Sequence, residues 1–279
     1  MPGAAKWSEI AARPEEEIDL AEAALVIAAE EYPGLDVLHY LGLIADMAAT
    51  LKRRLRGDIS TPETIIALNR YLFEELGFSG NAADYYDARN SFLNEVLDRR
   101  LGIPITLSMV YVEIGQRLGL GLRGVSFPGH FLVKCIVRDG AIVLDPYANG
   151  ASLGLDDLRQ RLRVLRSGAA EASDEDVRRM LVPARKKEIL VRVLRNLKSI
   201  YLQKQDLARA LSASARIVLL DPRGAEEYRD RGEIYFDLEC FRAALADYQQ
   251  YLTLRPKAED ADAVRDRIAE LQPLAARLN

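Results

Sequence analysis

The sequence predicts an α+β, mainly helical protein in two parts: a mixed core with one small antiparallel sheet, then an all-helical tail. Three observations carry this expectation. Helix start and stop signals recur through the first hundred residues. A β-branched and aromatic run, 131–137, is followed by Asp139-Gly140 and a second apolar run, 141–144, which is the pattern of a hairpin. Beyond residue 186 the chain repeats itself with a period of 34 residues.

The elements follow in order. Residues 18–31, rich in Ala, Leu and Glu, read as a helix stopped by Pro33-Gly34. Asp36 is placed to cap a second helix running to about residue 55. Thr61-Pro62-Glu63 is a helix start, because proline suits the first turn. Leu68, Leu72, Phe73 and Leu76 then form an apolar stripe that Gly77 ends, and residues 90–101 form another amphipathic helix closed by Gly102. Two readings of its amides stand: Asn90 caps the helix and Asn94 makes a polar bond, or Asn94 faces a cleft near Pro104. The small, polar and acidic stretch from Ser167 to Asp176 reads as a surface linker closed by Pro183.

The expected divisions are a helical segment 1–59 packed on the core, the core 60–166, a linker 167–185, and a repeat tail 186–279. In the tail, Tyr201, Ala210 and Pro222 recur as Tyr235, Ala244 and Pro256, each 34 residues on. Period and residue types resemble the tetratricopeptide repeat. Small residues let antiparallel helices approach, and proline breaks the chain between pairs. Lys198 stands where that family usually has glycine. The A helices are expected to start near Val191 and Ala225, with a capping helix over 260–278.

Composition narrows the functional classes. Net charge is −4 and the pI about 5.5, unlike a nucleic-acid binder working through a basic surface. No apolar run approaches the roughly 18 residues of a membrane span, and the N-terminus has no signal-peptide core. Cys135 and Cys240, far apart, give neither a zinc pattern nor a disulfide framework. No metal site and no cofactor are expected, and a reducing, cytoplasmic setting is. Cys240 is expected to be a small buried packing residue of a repeat helix, and His39 an interfacial helix residue.

The chemistry-bearing residues lie in the core. Gly102-Ile103-Pro104-Ile105-Thr106-Leu107-Ser108 opens a helix, His130 precedes the first strand of the hairpin, and Asp145 ends the second. That order resembles the core of transglutaminases and related papain-like folds. The resemblance implies a Cys nucleophile at the helix start, a His that activates it, and an Asp that orients the His. Counting back from Gly119 places Pro104 in the nucleophile position. A strict turn at Asp139-Gly140 would set Asp145 opposite Lys134, about 13 Å along the strand from His130, so direct contact requires a bend or bulge.

Asn69-Arg70-Tyr71-Leu72-Phe73, the run from Asn90 to Leu97, Gly129-His130-Phe131-Leu132-Val133, Arg195-Asn196-Leu197-Lys198 and Arg229-Asp230-Arg231-Gly232 together resemble the SirB-type family. Its members join a variant transglutaminase-like core to a tetratricopeptide tail. The expected function is a non-catalytic, pseudoenzyme-like module for protein or peptide partners. The alternative is a hydrolase or acyltransferase using His130 and Asp145 with a hydroxyl nucleophile, Ser108 or Thr106. Arg192, Arg195, Asn196, Ser199, Glu226, Arg229, Asp230 and Glu233 would line the repeat groove. That mixture predicts no strong preference for acidic peptide C-termini.

Overall fold

A computed structural model describes residues 2–138, 140–165 and 172–277. The chain divides into two compact units, Met1–Lys6 with Pro14–Leu190 and Trp7–Arg13 with Val191–Asn279. Residues 7–13, part of helix α1 (Pro2–Ala12), thus fall with the repeats, whereas the sequence reading puts all of 1–59 on the core. Trp7 and Ile10 are both buried, and the Arg216 guanidinium lies 5.4 Å from the Trp7 ring centre.

In the first unit, Asp19 caps α2 (Leu20–Glu31), a run of mostly small and aliphatic residues that is buried from Leu20 to Ala28 except at Glu22. Asp36 caps α3 (Val37–Arg54). His39 lies exposed in the first turn of α3, its ring edge-on to Tyr40. Ser60 and Glu63 cap α4 (Thr61–Asn69) reciprocally. The expected apolar stripe continues, but as a π-helical turn, Arg70–Glu75, before Gly77 turns the chain at φ +73.

The expected helix 90–101 is shorter and starts later. Ala88–Ser91 is a 3-10 turn, α5 is Leu93–Arg99, and Arg100 ends it in the left-handed region. β1 (Ser79–Gly80) then pairs in parallel with β2 (Leu101–Gly102). Next comes α6 (Pro104–Arg117), buried along its length as far as Gly115. At Gly115 a Cβ would overlap Leu122, so glycine lets α6 approach the sheet.

The sheet is antiparallel in the order β3 (Leu122–Val125), β4 (Leu132–Val137), β5 (Gly140–Asp145), β6 (Ala151–Leu153). Val137 pairs with Gly140, so Gly140 begins a strand rather than completing the turn; Asp139 lies outside the described residues. Helix α7 (Leu155–Leu165) and helix α8 (Asp174–Met180) follow. The described part of the expected linker is therefore structured. Ser173 and Asp176 cap α8, and Ala172, Val177 and Leu181 pack into a core with Phe127, Leu132 and Leu158. Residues 166–171 lie outside the described residues.

The second unit consists of paired helices: α9 (Lys186–Gln203, from Val191), α10 (Leu207–Leu220), α11 (Ala225–Asp237), α12 (Phe241–Leu254) and the cap α13 (Ala261–Arg277). α11 starts where the period predicts. α9 starts five residues before Val191, because Glu188 accepts the Arg185 N–H and opens the helix there. Residues 278 and 279, at the end of the expected cap, lie outside the described residues. Ala210 and Ala244 are fully buried, as close packing requires. Lys198 is 7% exposed and spans to the next A helix, where its Nζ donates to Glu227 at 2.7 Å and Asp230 at 3.1 Å. Ser214 also donates to Glu227. Cys240, against expectation, is exposed, because it occupies the N-cap of α12 rather than its interior.

Candidate functional site

His130 and Asp145 meet. His130 Nε2 lies 2.9 Å from Asp145 Oδ1. Two features close the gap that the sequence leaves. The β4–β5 register places Asp145 one step beyond the Val133–Leu144 pair, level with Leu132 and two residues nearer His130 than a turn at Asp139-Gly140 would allow. A tight turn then folds His130 back, its N–H donating to the Phe127 carbonyl, with Gly129 at φ +66.

Asp145 is 1% exposed and accepts four hydrogen bonds. Besides His130, it takes the Tyr147 and Ala148 N–H groups at 3.1 and 3.3 Å, which makes it the cap of a single 3-10 turn, and the Arg161 guanidinium at 2.7 Å. Burial alone would raise its carboxyl. The hydrogen bonds and charges of His130 and Arg161 outweigh burial and hold it below the usual carboxylate range.

A further polar chain fixes the turn after Asp145. The Gly150 N–H donates to the Asp145 carbonyl, Asn69 donates to the Gly150 carbonyl, and the Tyr111 hydroxyl of α6 donates to Asn69 at 2.7 Å. A Cβ at Gly150 would overlap the Asn69 amide. An aromatic rim stands beside His130: its ring is edge-on to Tyr147, Tyr147 to Tyr85, and Tyr85 to Tyr86. Asn90 does not cap a helix. Its amide donates to the Asp84 and Tyr85 carbonyls and accepts from Asn81, which pins the loop that carries Tyr85.

The hydroxyl candidates lie elsewhere. Ser108 is fully buried and its Oγ has no hydrogen-bond partner. Thr106 is buried and committed, accepting from the Ile103 N–H and donating to the Asn90 carbonyl. Asn94 is buried with its Oδ1 unpartnered. Pro104 occupies the first position of α6. His130 Nδ1 makes no hydrogen bond among the described residues. Among those residues no group of three His, Cys, Asp or Glu side chains could hold a metal, and no helix is long and apolar enough to cross a membrane.

Arg161, Asn69, Tyr111 and Tyr147 were not among the sequence candidates. Asn69 heads a run quoted for the family resemblance, which was the one available signal. Arg161 is one of three alternating arginines in α7, and nothing in the sequence distinguishes it from Arg159 or Arg163.

The repeat-unit charges expected to line a groove are largely paired with one another or with neighbours. Arg195 lies 3.7 Å from Glu227, and Arg255 lies 3.3 Å from Glu226. Arg229 binds Asp260 and Asp230, and Arg267 approaches Glu233 at 3.4 Å.

Residues 39–195 match the model of the transglutaminase-like superfamily, and residues 197–269 match the tetratricopeptide repeat. A UPF0162 protein of Xylella fastidiosa is 42% identical over 265 residues, which cover 95% of this chain and 94% of that protein. Protein SirB1 of Salmonella typhimurium is 29% identical over 75% of this chain and 77% of its own length. F-box only protein 21 of Homo sapiens is 39% identical over 99 residues, 33% of this chain and 16% of that protein.

Proposed function

Since the chain belongs to the transglutaminase-like superfamily, and within it to the SirB-type family, we propose that it is a non-catalytic protein-interaction module. Its core keeps the His–Asp pair of its fold without a nucleophile, and its tetratricopeptide repeats engage a protein or peptide partner. One observation carries the reading: among the described residues no hydroxyl or thiol is bonded to His130, and Ser108 is fully buried without a partner. A serine becomes nucleophilic only with a base within about 2.6–3.2 Å and access to substrate. Pro104 preserves the helix start while removing thiolate chemistry, because its missing N–H had no intrahelical acceptor there.

Asp145 is moreover a shared anion. Arg161 and two backbone N–H groups divide it with His130, so its role extends to holding the turn beneath Tyr147. The repeats, with their charges mutually paired, offer no uniformly basic clamp, and the reading expects no preference for acidic peptide C-termini.

The dyad itself favours a second reading, in which His130 acts as the base of a hydrolase or acyltransferase. Treating the full chain with an activated-ester acyl probe and mapping adducts by mass spectrometry separates the two. The expected result is no adduct on Ser108 or Thr106. An adduct at either residue that disappears in His130→Gln would establish the enzyme instead.

A further inference from the structure

Away from His130, the first unit holds a cavity of about 770 Å³ between the sheet and the helices α7 and α8. That size falls within the range of small-ligand sites, about 300–1,000 Å³. Its wall is hydrocarbon: Ala141, Val143, Leu153, Leu155, Leu158 and Leu181. Among the described residues the ionisable side chains of the lining are Lys134 and Arg178, both cationic; the nearby carboxylates, Asp174 and Asp157, pair with Arg178 and with the Gly154 N–H.

Arg178 stands three residues before Leu181, whose carbonyl Lys134 bonds. Lys134 Nζ donates to the Leu181 carbonyl at 3.2 Å, and the Leu181 N–H in turn bonds the Arg178 carbonyl. Lys134 forms no ion pair among the described residues. Arg178 meets its nearest carboxylate, Asp174, only at 3.9 Å and is 60% exposed there. An ammonium retains further donors, and a guanidinium presents a planar fork suited to a carboxylate.

The sheet wall offers little backbone to a peptide at its β6 end. Val143 and Leu144 of β5 pair with both β4 and β6, so their backbone groups are already used. The Gly154 N–H at the β6 end is taken by Asp157. What fits is an anionic head at Leu181 and a saturated tail along the leucines.

We infer that this cavity binds a medium-chain fatty carboxylate, with Lys134 and Arg178 holding the head group. The inference is independent of whether His130 is catalytic. Titration calorimetry of the full chain with decanoate, kept below its micelle concentration, tests it. The account expects saturable one-to-one binding, weakened at least tenfold by Arg178→Glu and abolished by Ala141→Trp, which fills the cavity. Decanol, with the same tail and no charge, should bind at least tenfold more weakly. Arg178 and Ala141 are exposed, so both variants retain the fold, and circular dichroism verifies this. No saturable heat, undiminished binding by Ala141→Trp, or equal affinity for decanol would each overturn the assignment.

Discussion

Among the described residues the most deeply buried carboxylate of each unit is Asp145, at 1% exposure, and Glu227, at 2%. The two are satisfied differently. Glu227 is closed on itself: Lys198 and Ser214 bond it directly and Arg195 stands behind, so its partners tie both α9 and α10 to α11. Asp145 has a backbone cap and an arginine for the same purpose, but its fourth partner is His130, whose ring keeps one nitrogen unengaged and whose side chain is 17% exposed. The difference separates architecture from a site. A buried anion with only fixed partners is a rivet, whereas Asp145 holds a partly exposed imidazole beside an aromatic rim.

The largest expected effect is at the rivet. Lys198→Met leaves Glu227 buried without its main cation, which costs about 3–5 kcal/mol. Denaturant unfolding, with hydrogen exchange resolved over 191–277, should show the loss in the repeat unit. Adding Glu227→Leu should recover most of it. A loss below about 1 kcal/mol would show that Lys198 is an ordinary surface lysine folded inward.

Asp145→Asn comes next. It removes two charge-assisted hydrogen bonds, each worth about 1.5–3 kcal/mol, so about 3 kcal/mol should be lost from the core unit. His130→Gln should cost less than half as much, because Arg161 and the cap remain. Equal losses would make His130 as structural as Lys198 and erase the contrast.

Acidification sharpens the same point. The folded Asp145 carboxyl is depressed, so its contribution is present above the unfolded value, about 3.9, and disappears as pH falls through the folded one. The melting-temperature gap between wild type and Asp145→Asn should be full at pH 7 and shrink below pH 4. A gap that stays constant to pH 2 would contradict the assignment.

The smallest effect belongs to Ser108→Ala. Removing a buried hydroxyl with no partner relieves an unpaired group, so stability should stay within about 0.5 kcal/mol or rise slightly. A loss above 1 kcal/mol by chemical denaturation would reveal a bond that Ser108 makes in solution.

Local rules made much of the fold legible. Asp36, Thr61-Pro62-Glu63, and the 34-residue period mark helix starts that the structure keeps. The helix 90–101 was misread because Asn90 bonds to the 84–85 carbonyls and only Leu93 begins the helix. The acidic stretch before Pro183 reads as linker by composition, yet Val177 and Leu181 bury one face of α8. At the site, the two side chains that touch were legible as motif residues. Their contact was not, because it depends on a register in which Gly140 pairs with Val137. Arg161 was invisible for the same reason: its role is set by where α7 crosses the end of β5, not by its own neighbours in sequence.

The central claim is that the core lacks a nucleophile because Pro104 occupies the position of one. Pro104→Cys tests it most directly. The chains to compare are wild type, Pro104→Cys, and Pro104→Cys with His130→Gln, each treated with an acyl-type probe at pH 6 to 8 and read by intact mass. The account predicts no His130-dependent adduct on wild type, with any reaction at the exposed Cys240 thiol common to all three chains. It predicts one adduct at position 104 of the single variant, formed markedly more slowly when His130 is replaced. A wild-type adduct that depends on His130, or an introduced thiol whose reactivity ignores His130, would contradict it.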